Sequence, residues 1–320
     1  MVKLTAVKFS DIYITPERIP YIPDGRTENG LEVLKTEDFE DFLELVEEGW
    51  DGKNPSYSVI YERVFFRVER SLTIYGVQYC ARRMPTKVPP LSSLGFGNKL
   101  TNYLLSLSNA SGLILCGGPT GAGKTTTISS LLKEFLSMEG GFAYTIEDPS
   151  EMPLDGIYNS MAGGIGLCRQ TLPPNGSWSE GLKSALRSKP RFIMVGEIRT
   201  PDTAGEVLRA ATSGHLVLST IHANNVTDAI NSVIKYASSA GMSEELSYDL
   251  FARGMLGVLH QTLSGASKKT PHLSYLFANP DTSKGDQVRG IVKSGRLNLG
   301  TSIETQMTRL EFGKNLFPDI

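Results

Sequence analysis

The sequence predicts an α/β protein in two parts: a small α+β domain and a larger domain built on a buried parallel sheet. In the first part, residues 36–48 have the spacing of an amphipathic helix, and residues 57–84 are rich in Tyr, Val, Phe and Ile. In the second part, short and nearly continuous apolar runs alternate with helical stretches. This alternation is typical of parallel strands that are buried on both faces.

The composition is that of an ordinary globular chain. Of its 320 residues, 40% are hydrophobic and 21% are charged, and the net charge is −2. This charge gives no general attraction to nucleic acid or anionic lipid. No apolar run approaches the ~18 residues of a membrane span, and the first residues lack the apolar core of a secretory signal. We therefore expect a cytoplasmic protein whose Cys80, Cys116 and Cys168 are buried free thiols.

The elements of the first part follow from periodicity. Residues 10–15 alternate weakly and predict a strand. Residues 36–48 predict a helix with Thr36 as its N-cap and Gly49 as its end, and the many acids on it are expected to form a solvated face. Residues 57–84 predict two or three antiparallel strands.

A linker is predicted where the composition changes. The stretch "PTKVPPLSSLGF" at residues 85–96 holds three prolines, two serines and a glycine. We predict an N-terminal domain over 1–88, a linker over 89–98 and a second domain over 99–320. The runs that predict parallel strands in the second domain are 113–116, 142–146, 192–195 and 216–221.

Residues 118–125, "GPTGAGKT", match the phosphate-binding pattern G-x-x-x-x-G-K-[ST]. The glycines let backbone N–H groups point at phosphate oxygens, Lys124 supplies a cation and the Thr125 hydroxyl can ligate Mg²⁺. A Gly-rich turn with a chance lysine is the alternative, but a strand precedes the loop and a helix follows it, which favours nucleotide binding. The predicted nucleotide-binding residues are Gly118, Pro119, Thr120, Gly121, Ala122, Gly123, Lys124, Thr125 and Thr126.

An acid and a base follow the apolar run 192–195. We expect this strand to lie beside strand 113–116, with Glu197 emerging at the carboxyl edge of the sheet. There its carboxylate could hold Mg²⁺ through water or polarise an attacking water. The alternatives are that Glu197 caps a helix or pairs with Arg199. Thr200 and Pro201 predict the N-cap and first residue of a new helix.

Four motifs in order make the sequence similar to the secretion ATPases that power type II secretion, type IV pili and type IV secretion. They resemble the Walker A, Asp, Walker B and His boxes of that family, and they are residues 118–126, 145–151, 195–204 and 211–224. The close resemblance covers most of residues 110–225. The short chain looks most like the compact pilus-retraction (PilT-type) and type IVB secretion or conjugation (DotB-type) ATPases. Residues 163–178 depart from the retraction pattern.

The resemblance implies a PAS-like N-terminal domain, a RecA-like P-loop NTPase domain and Mg²⁺-dependent hydrolysis of ATP. It also implies a homohexamer that acts on platform proteins at the inner membrane, as a peripheral cytoplasmic motor. It gives a catalytic role to Glu147 of the Asp box, with Asp148 and Glu151 in support. The alternative for that box is a simple turn, because Asp148-Pro149 favours a bend by itself.

A histidine and several arginines complete the expected site. His222, just past the run 216–221, can reach the phosphate side and sense the γ-phosphate. Arginines on strands are usually solvated, but the resemblance suggests that Arg67 and Arg82 reach nucleotide held by a neighbouring subunit. Arg187 and Arg199 could do similar work at the ring interface.

Two other functions remain open from the sequence. A RecA-like nucleic-acid motor would share the phosphate loop, but the net charge of −2 and the lack of a basic tract argue against direct nucleic-acid binding. An inactive nucleotide-binding assembly subunit would not need the intact glutamates.

Overall fold

The structure is a computed structural model that describes residues 2–24, 30–265 and 269–317. The chain divides into two compact units. The first runs up to Lys87 and includes Glu151–Pro153, and the second contains Val88–Ser150 and the residues from Leu154 onwards. Residues 89–98 group with the second unit, where Leu91–Leu94 form a turn of 3-10 helix.

The described part of the first unit is an antiparallel sheet with an α-helix packed on it. Its elements are β1 Asp11–Ile14, β2 Pro20–Pro23, β3 Leu31–Val33, α1 Phe39–Glu48, β4 Ser56–Tyr61, β5 Val64–Thr73 and β6 Gly76–Arg83. Within the described residues the strand order is β3-β2-β1-β6-β5-β4, and all neighbours are antiparallel. The predicted strand at 10–15 and the antiparallel strands at 57–84 are thus confirmed.

Helix α1 is amphipathic as predicted, but it begins later than predicted. It starts at Phe39 with Asp38 as the N-cap residue, and it ends before Gly49 as expected. The prediction that Thr36 caps it is wrong, because the Thr36 hydroxyl lies outside the helix and is buried without a hydrogen-bond partner. Asp38 Oδ1 accepts a hydrogen bond from the Leu4 backbone N–H at 2.8 Å, which ties the helix start to the beginning of the chain.

The second unit is a mixed α/β layer structure. Its helices are α2 Asn98–Ser106, α3 Lys124–Glu139, α4 Trp178–Arg187, α5 Pro201–Thr212, α6 Val226–Ser239, α7 Glu244–Gly254, α8 Gln287–Lys293 and α9 Gly300–Glu311. Its strands are β7 Gly112–Gly117, β8 Gly141–Ile146, β9 Gly156–Asn159, β10 Ile165–Thr171, β11 Phe192–Val195, β12 Leu216–Ile221, β13 Met255–Ser264 and β14 Thr270–Phe277. In the ranges that the structure describes, none of the helices is both long and apolar enough to cross a bilayer.

The strands of the second unit form one sheet whose interior is parallel. The order is β14-β13-β7-β12-β11-β8-β10-β9, and the two edge strands β14 and β9 run antiparallel to their neighbours. Every residue of β7, β11 and β12 is buried, as their continuous apolar runs predict for strands covered on both faces. The parallel strands therefore all end at the same edge of the sheet.

The predicted adjacency of β7 and β11 is wrong, because β12 lies between them. Leu216 of β12 is in register with Gly112 of β7 on one side and with Phe192 of β11 on the other. Two steps of ~4.8 Å place β11 about 10 Å from β7. The order of strands in a parallel sheet does not follow the order of motifs along the chain, since each crossover helix can skip a position.

The turn after β11 contains the predicted N-cap of the next helix. Helix α5 starts at Pro201, and the side chain of Thr200 accepts a hydrogen bond from the Thr203 backbone N–H. This cap fixes where the chain leaves the sheet edge, three residues after Glu197.

We expect Phe66→Ala to destabilise the first unit by about 3–5 kcal/mol, because truncating a large core side chain leaves a cavity. Phe66 is fully buried, and its ring packs edge-on against Phe42 with centroids 4.9 Å apart. Tyr75→Ala is the control, since Tyr75 is 81% exposed at the β5–β6 turn and its loss should change the free energy of unfolding by no more than ~0.5 kcal/mol. Denaturant unfolding of both variants tests this, and equal destabilisation would contradict the packing described.

Candidate active site

The loop between β7 and α3 has the backbone shape that the phosphate-binding pattern predicts. Gly118, Gly121 and Gly123 have φ angles of 151°, 76° and 81°, which side-chain-bearing residues rarely adopt. Helix α3 begins at Lys124, directly after the loop. Its unsatisfied N–H groups and the positive end of its dipole therefore face the loop.

Lys124 is folded over this loop. Its Nζ donates to the backbone oxygens of Gly118 at 2.9 Å and of Pro119 at 3.0 Å, and the side chain is buried. Thr125 and Thr126 follow in the first turn of α3 and are half-buried. The cation thus already lies at the mouth of the loop where phosphate oxygens would be bound.

Glu147 directly follows β8 and is almost completely buried. Its Oε1 accepts hydrogen bonds from Thr145 Oγ1 at 2.7 Å and from Gln170 Nε2 at 2.8 Å. Gln170 is itself fixed, because its Oε1 accepts from the backbone N–H groups of Leu154 and Asp155 at 2.7 and 2.8 Å. A neutral hydroxyl and a neutral amide therefore orient this carboxylate.

Sequence reasoning missed Gln170, which lies in the stretch that departs from the retraction pattern. Residues 165–171 of that stretch form strand β10, which pairs in parallel with β8 so that Gln170 is in register with Thr145. The signal available was a short alternating run with a polar residue in it, which does not by itself reveal its neighbour. Asp148 and Glu151, the other acids of the predicted Asp box, are exposed.

Glu197 is held by two exposed cationic or ionisable side chains. Its Oε2 accepts a hydrogen bond from Arg199 Nε, and its Oε1 lies 3.0 Å from His222 Nε2. The carboxylate is buried, whereas Arg199 and His222 are exposed. The pairing of Glu197 with Arg199 that the sequence left open is thus made, and His222 meets Glu197.

The charged residues form a row along the carboxyl edge of the sheet. In strand order, the phosphate loop follows β7, His222 follows β12, Glu197 follows β11 and Glu147 follows β8. Gly196, the residue before Glu197, lies against Glu147, because a Cβ there would lie 3.3 Å from Glu147 Cγ. The interposed β12 separates the loop strand from the Glu197 strand by ~10 Å along this edge.

The donors present suit Mg²⁺ bound together with phosphate. Thr125 and Glu197 offer a hydroxyl and a carboxylate oxygen, which are hard ligands of the type that Mg²⁺ prefers. Within the described residues, no group of three or more His, Cys, Asp and Glu side chains could hold a metal ion. The described part of the chain therefore offers too few ligands for a cage made of protein alone, as is usual where substrate phosphates supply the other oxygens.

Arg67 and Arg82 are neighbours on one face of the first unit's sheet. They are in register on β5 and β6, and such cross-strand neighbours lie on the same face. Arg82 Nε donates to Asp11 Oδ1 at 2.7 Å, which offsets one of the two charges. In the part of the chain that the structure describes, the Arg67 side chain has no hydrogen bond or ion pair.

Two other arginines on these strands, Arg70 and Arg83, have structural contacts. The guanidinium of Arg70 lies 3.8 Å from the centroid of the Trp50 ring. Arg83 donates to the backbone oxygens of Val7 and Thr5, both at 2.7 Å. Arg187, at the end of α4, is exposed.

Residues 52–273 match the protein family described as "Type II/IV secretion system protein". The type IV pilus assembly ATPase TfpB of Acinetobacter baylyi is 37% identical over 190 residues, which cover 59% of this chain and 29% of that relative. A twitching motility protein of Neisseria gonorrhoeae is 28% identical over 243 residues, covering 74% of this chain and 60% of that relative. The chain thus spans less than two thirds of the length of either relative.

Two solved structures are similar over nearly the whole chain. The pilus retraction motor PilT with bound ADP superimposes with a TM-score of 0.74 at 25% identity, covering 96% of this chain and 90% of that one. The ATPase DotB of Legionella pneumophila gives a TM-score of 0.70 at 21% identity, covering 96% of this chain and 88% of that one. The mixed α/β fold is therefore that of these proteins.

We expect the thiols of Cys116 and Cys168 to resist alkylation at pH 8 in the folded protein. Burial raises the pKa of each to about 12, so the reactive thiolate is scarcely populated and the sulfur is shielded. Cys80 is half-buried and should react first. Titration with Ellman's reagent should find one accessible thiol in buffer and three in denaturant. Rapid native labelling of Cys116 would mean that β7 is not packed below the loop as described.

Proposed function

The chain belongs to the type II/IV secretion system protein family, and we propose that it hydrolyses ATP as a ring-shaped motor. The observation that carries this proposal is the edge of the second unit's sheet, where one phosphate-binding loop and two buried glutamates end neighbouring parallel strands. The reaction is phosphoryl transfer to water, in which positioning and charge neutralisation do most of the work.

The phosphate loop and Lys124 bind the nucleotide's phosphates. Backbone N–H groups of the loop and of the α3 N-terminus donate to phosphate oxygens, and the Lys124 ammonium exchanges its bonds to Gly118 O and Pro119 O for bonds to phosphate. Mg²⁺, held by Thr125 and by Glu197 directly or through water, would offset negative charge on the terminal phosphates.

The two glutamates have different surroundings, which suggests different roles. We assign Glu147 as the group that accepts the proton of the attacking water, since neutral donors from Thr145 and Gln170 fix its orientation. We assign Glu197 to the water and metal shell, since both of its oxygens already meet Arg199 and His222. Through Glu197, His222 is placed to respond to the terminal phosphate.

The proposal also includes the division into domains, the number of subunits and the location of the motor. We take residues 1–88 as a PAS-like domain, 89–98 as a linker and 99–320 as a RecA-like ATPase domain. Six subunits would form the ring, and the motor would lie in the cytoplasm against platform proteins of a pilus or secretion machine at the inner membrane. The names of the relatives, a pilus assembly ATPase and a pilus retraction motor, support this type of machine.

We expect substitutions at the sheet edge to separate binding from chemistry. Lys124→Ala should abolish hydrolysis and strongly weaken ATP binding, because the cation on the phosphates is lost. Glu147→Gln and Glu197→Gln should keep ATP binding and lower turnover by ~10²-fold or more, because they keep shape and lose charge. Binding of a fluorescent ATP analogue and phosphate release measure the two effects.

The control for these variants is Glu180→Gln, an exposed acid in the first turn of α4, which should keep both properties. Near wild-type turnover by Lys124→Ala would refute the phosphate site. If Glu147→Gln is harmful and Glu197→Gln is not, Glu197 is outside the chemistry.

We expect Arg67 and Arg82 to act on nucleotide bound by another subunit. An arginine supplied in trans can contribute ~10³-fold to turnover, since one lysine and one metal do not neutralise the transferring phosphate fully. Arg67→Ala or Arg82→Ala should therefore lower turnover without unfolding the chain. Mixed rings with Lys124→Ala subunits should regain activity, because an intact loop then meets intact arginines.

The matched control is Arg63→Asn, which removes an exposed arginine at the β4–β5 turn, where φ is 67° and asparagine is tolerated. It should leave turnover unchanged. Mixed rings, verified by native mass spectrometry, that show no activity above either parent would refute the role of this pair, and Arg187 and Arg199 would be tested next.

A further inference from the structure

The phosphate loop is attached to a strand that carries none of the four sequence motifs. Gln261 lies on β13, which pairs in parallel with β7 so that His260 is in register with Gly117. The Gln261 side chain is only 3% exposed, and both ends of its amide are used. Its Nε2 donates to the Ala122 backbone oxygen at 2.7 Å, and its Oε1 accepts from Thr127 Oγ1 at 2.7 Å.

The same residue also approaches both ends of the loop closely. A Cβ on Gly118 would lie 2.2 Å from the Gln261 backbone oxygen, and a Cβ on Gly123 would lie 3.0 Å from Gln261 Nε2. Around Gly121, in contrast, nothing lies within 4 Å of such an atom. Gln261 therefore borders the start and the end of the loop, while the loop's tip is open.

The hydrogen bond from Gln261 Nε2 to the Ala122 oxygen determines the direction in which the Gly123 N–H points. In a planar trans peptide the C=O and N–H bonds point in opposite directions. Because the Ala122 oxygen is drawn towards Gln261, the N–H of Gly123 points away from it. Among the described residues, this N–H has no acceptor in the protein. It is thus available to a ligand oxygen held by the loop.

We propose that Gln261 is a positioning residue that holds the Ala122–Gly123 peptide in the orientation required for binding a nucleotide's phosphates. The proposal rests on the nucleotide-binding function proposed above. Thr127 holds the Gln261 amide in the correct orientation, since it donates to Oε1 and leaves the NH₂ group for Ala122. Without the hydrogen bond from Gln261, the Ala122–Gly123 peptide can rotate, and the Gly123 N–H then no longer points at the phosphate.

Gln306 provides a matched control in the same unit. It is 7% exposed on α9, its Nε2 donates to the Phe277 backbone oxygen at 2.8 Å, and its Oε1 accepts from the Phe277 N–H at 2.8 Å. Gln306 is therefore also a buried glutamine whose amide both donates and accepts a hydrogen bond, but its partner is β14 instead of the phosphate loop.

The experiment compares Gln261→Met with Gln306→Met in the full chain. Methionine keeps the length of the side chain, adds no charge near the phosphates and removes both hydrogen bonds. The readouts are the melting temperature, the dissociation constant of a fluorescent ATP analogue with Mg²⁺, and the KM and kcat of phosphate release. Thr127→Val is a milder third variant, which removes only the hydroxyl that orients the amide.

Both methionine variants should lower the melting temperature, but only Gln261→Met should weaken nucleotide binding, by about 10- to 100-fold for one charge-assisted hydrogen bond with its orientation. The loss should fall on KM, with kcat at saturating ATP within a few-fold of wild type, because neither glutamate is touched. Thr127→Val should weaken binding by a smaller factor and keeps the test available if Gln261→Met does not fold.

The inference is overturned if Gln261→Met, or Thr127→Val in its place, binds the nucleotide within twofold of wild type. It is also overturned if Gln306→Met weakens binding by the same factor, since loss of stability alone would then explain the effect. Both of these outcomes leave the proposed function intact. Failure of the wild-type protein to bind ATP would overturn the function and this inference together.

Discussion

A charged side chain can stand only at the ends of the strands in the second unit's sheet, and this constraint organises the site. Every residue of β7, β11 and β12 is buried, and the polar ones among them bond to backbone, as Ser219 does to the Val195 oxygen at 2.8 Å. Because these strands are parallel, their carboxyl ends meet at one edge. Strand direction thus gathers Glu147, Glu197 and Lys124, which are far apart in sequence.

Those parts of the site that depend on neighbours in sequence could be predicted from sequence. The phosphate loop needs a strand, glycines and a helix start within one short segment, and all of them appear in order. Glu147 and Glu197 could be found because Glu147 directly follows an apolar run and Glu197 follows one after a single glycine. The Thr200 cap is also local, since its partner Thr203 is three residues away. In each case the pattern that reveals the residue lies within a short stretch of chain.

The features that were missed or wrongly predicted from sequence depend on partners that are distant in sequence. Nothing in the run 216–221 says that it inserts between β7 and β11, because apolar strands pair equally well on either side. Gln170 and Gln261 read as ordinary polar residues in strands, since their partners Glu147 and Ala122 lie 23 and 139 residues away. Even Thr36, a reasonable local cap, loses its role because the helix starts at Phe39 and Asp38 is tied to the chain's beginning.

The glycines of the phosphate loop show how local and distant constraints combine. Gly121 is required by backbone angle alone, since its φ is 76° and open space surrounds it. Gly118 and Gly123 satisfy a second requirement as well, because a side chain at either position would meet Gln261 of β13. The sequence motif shows that glycine occurs at these positions, but it does not show whether the backbone angle or the contact with Gln261 requires it. The shape of the loop is therefore a joint property of the β7–α3 segment and of a strand more than a hundred residues later, whose glutamine contacts the Ala122 oxygen.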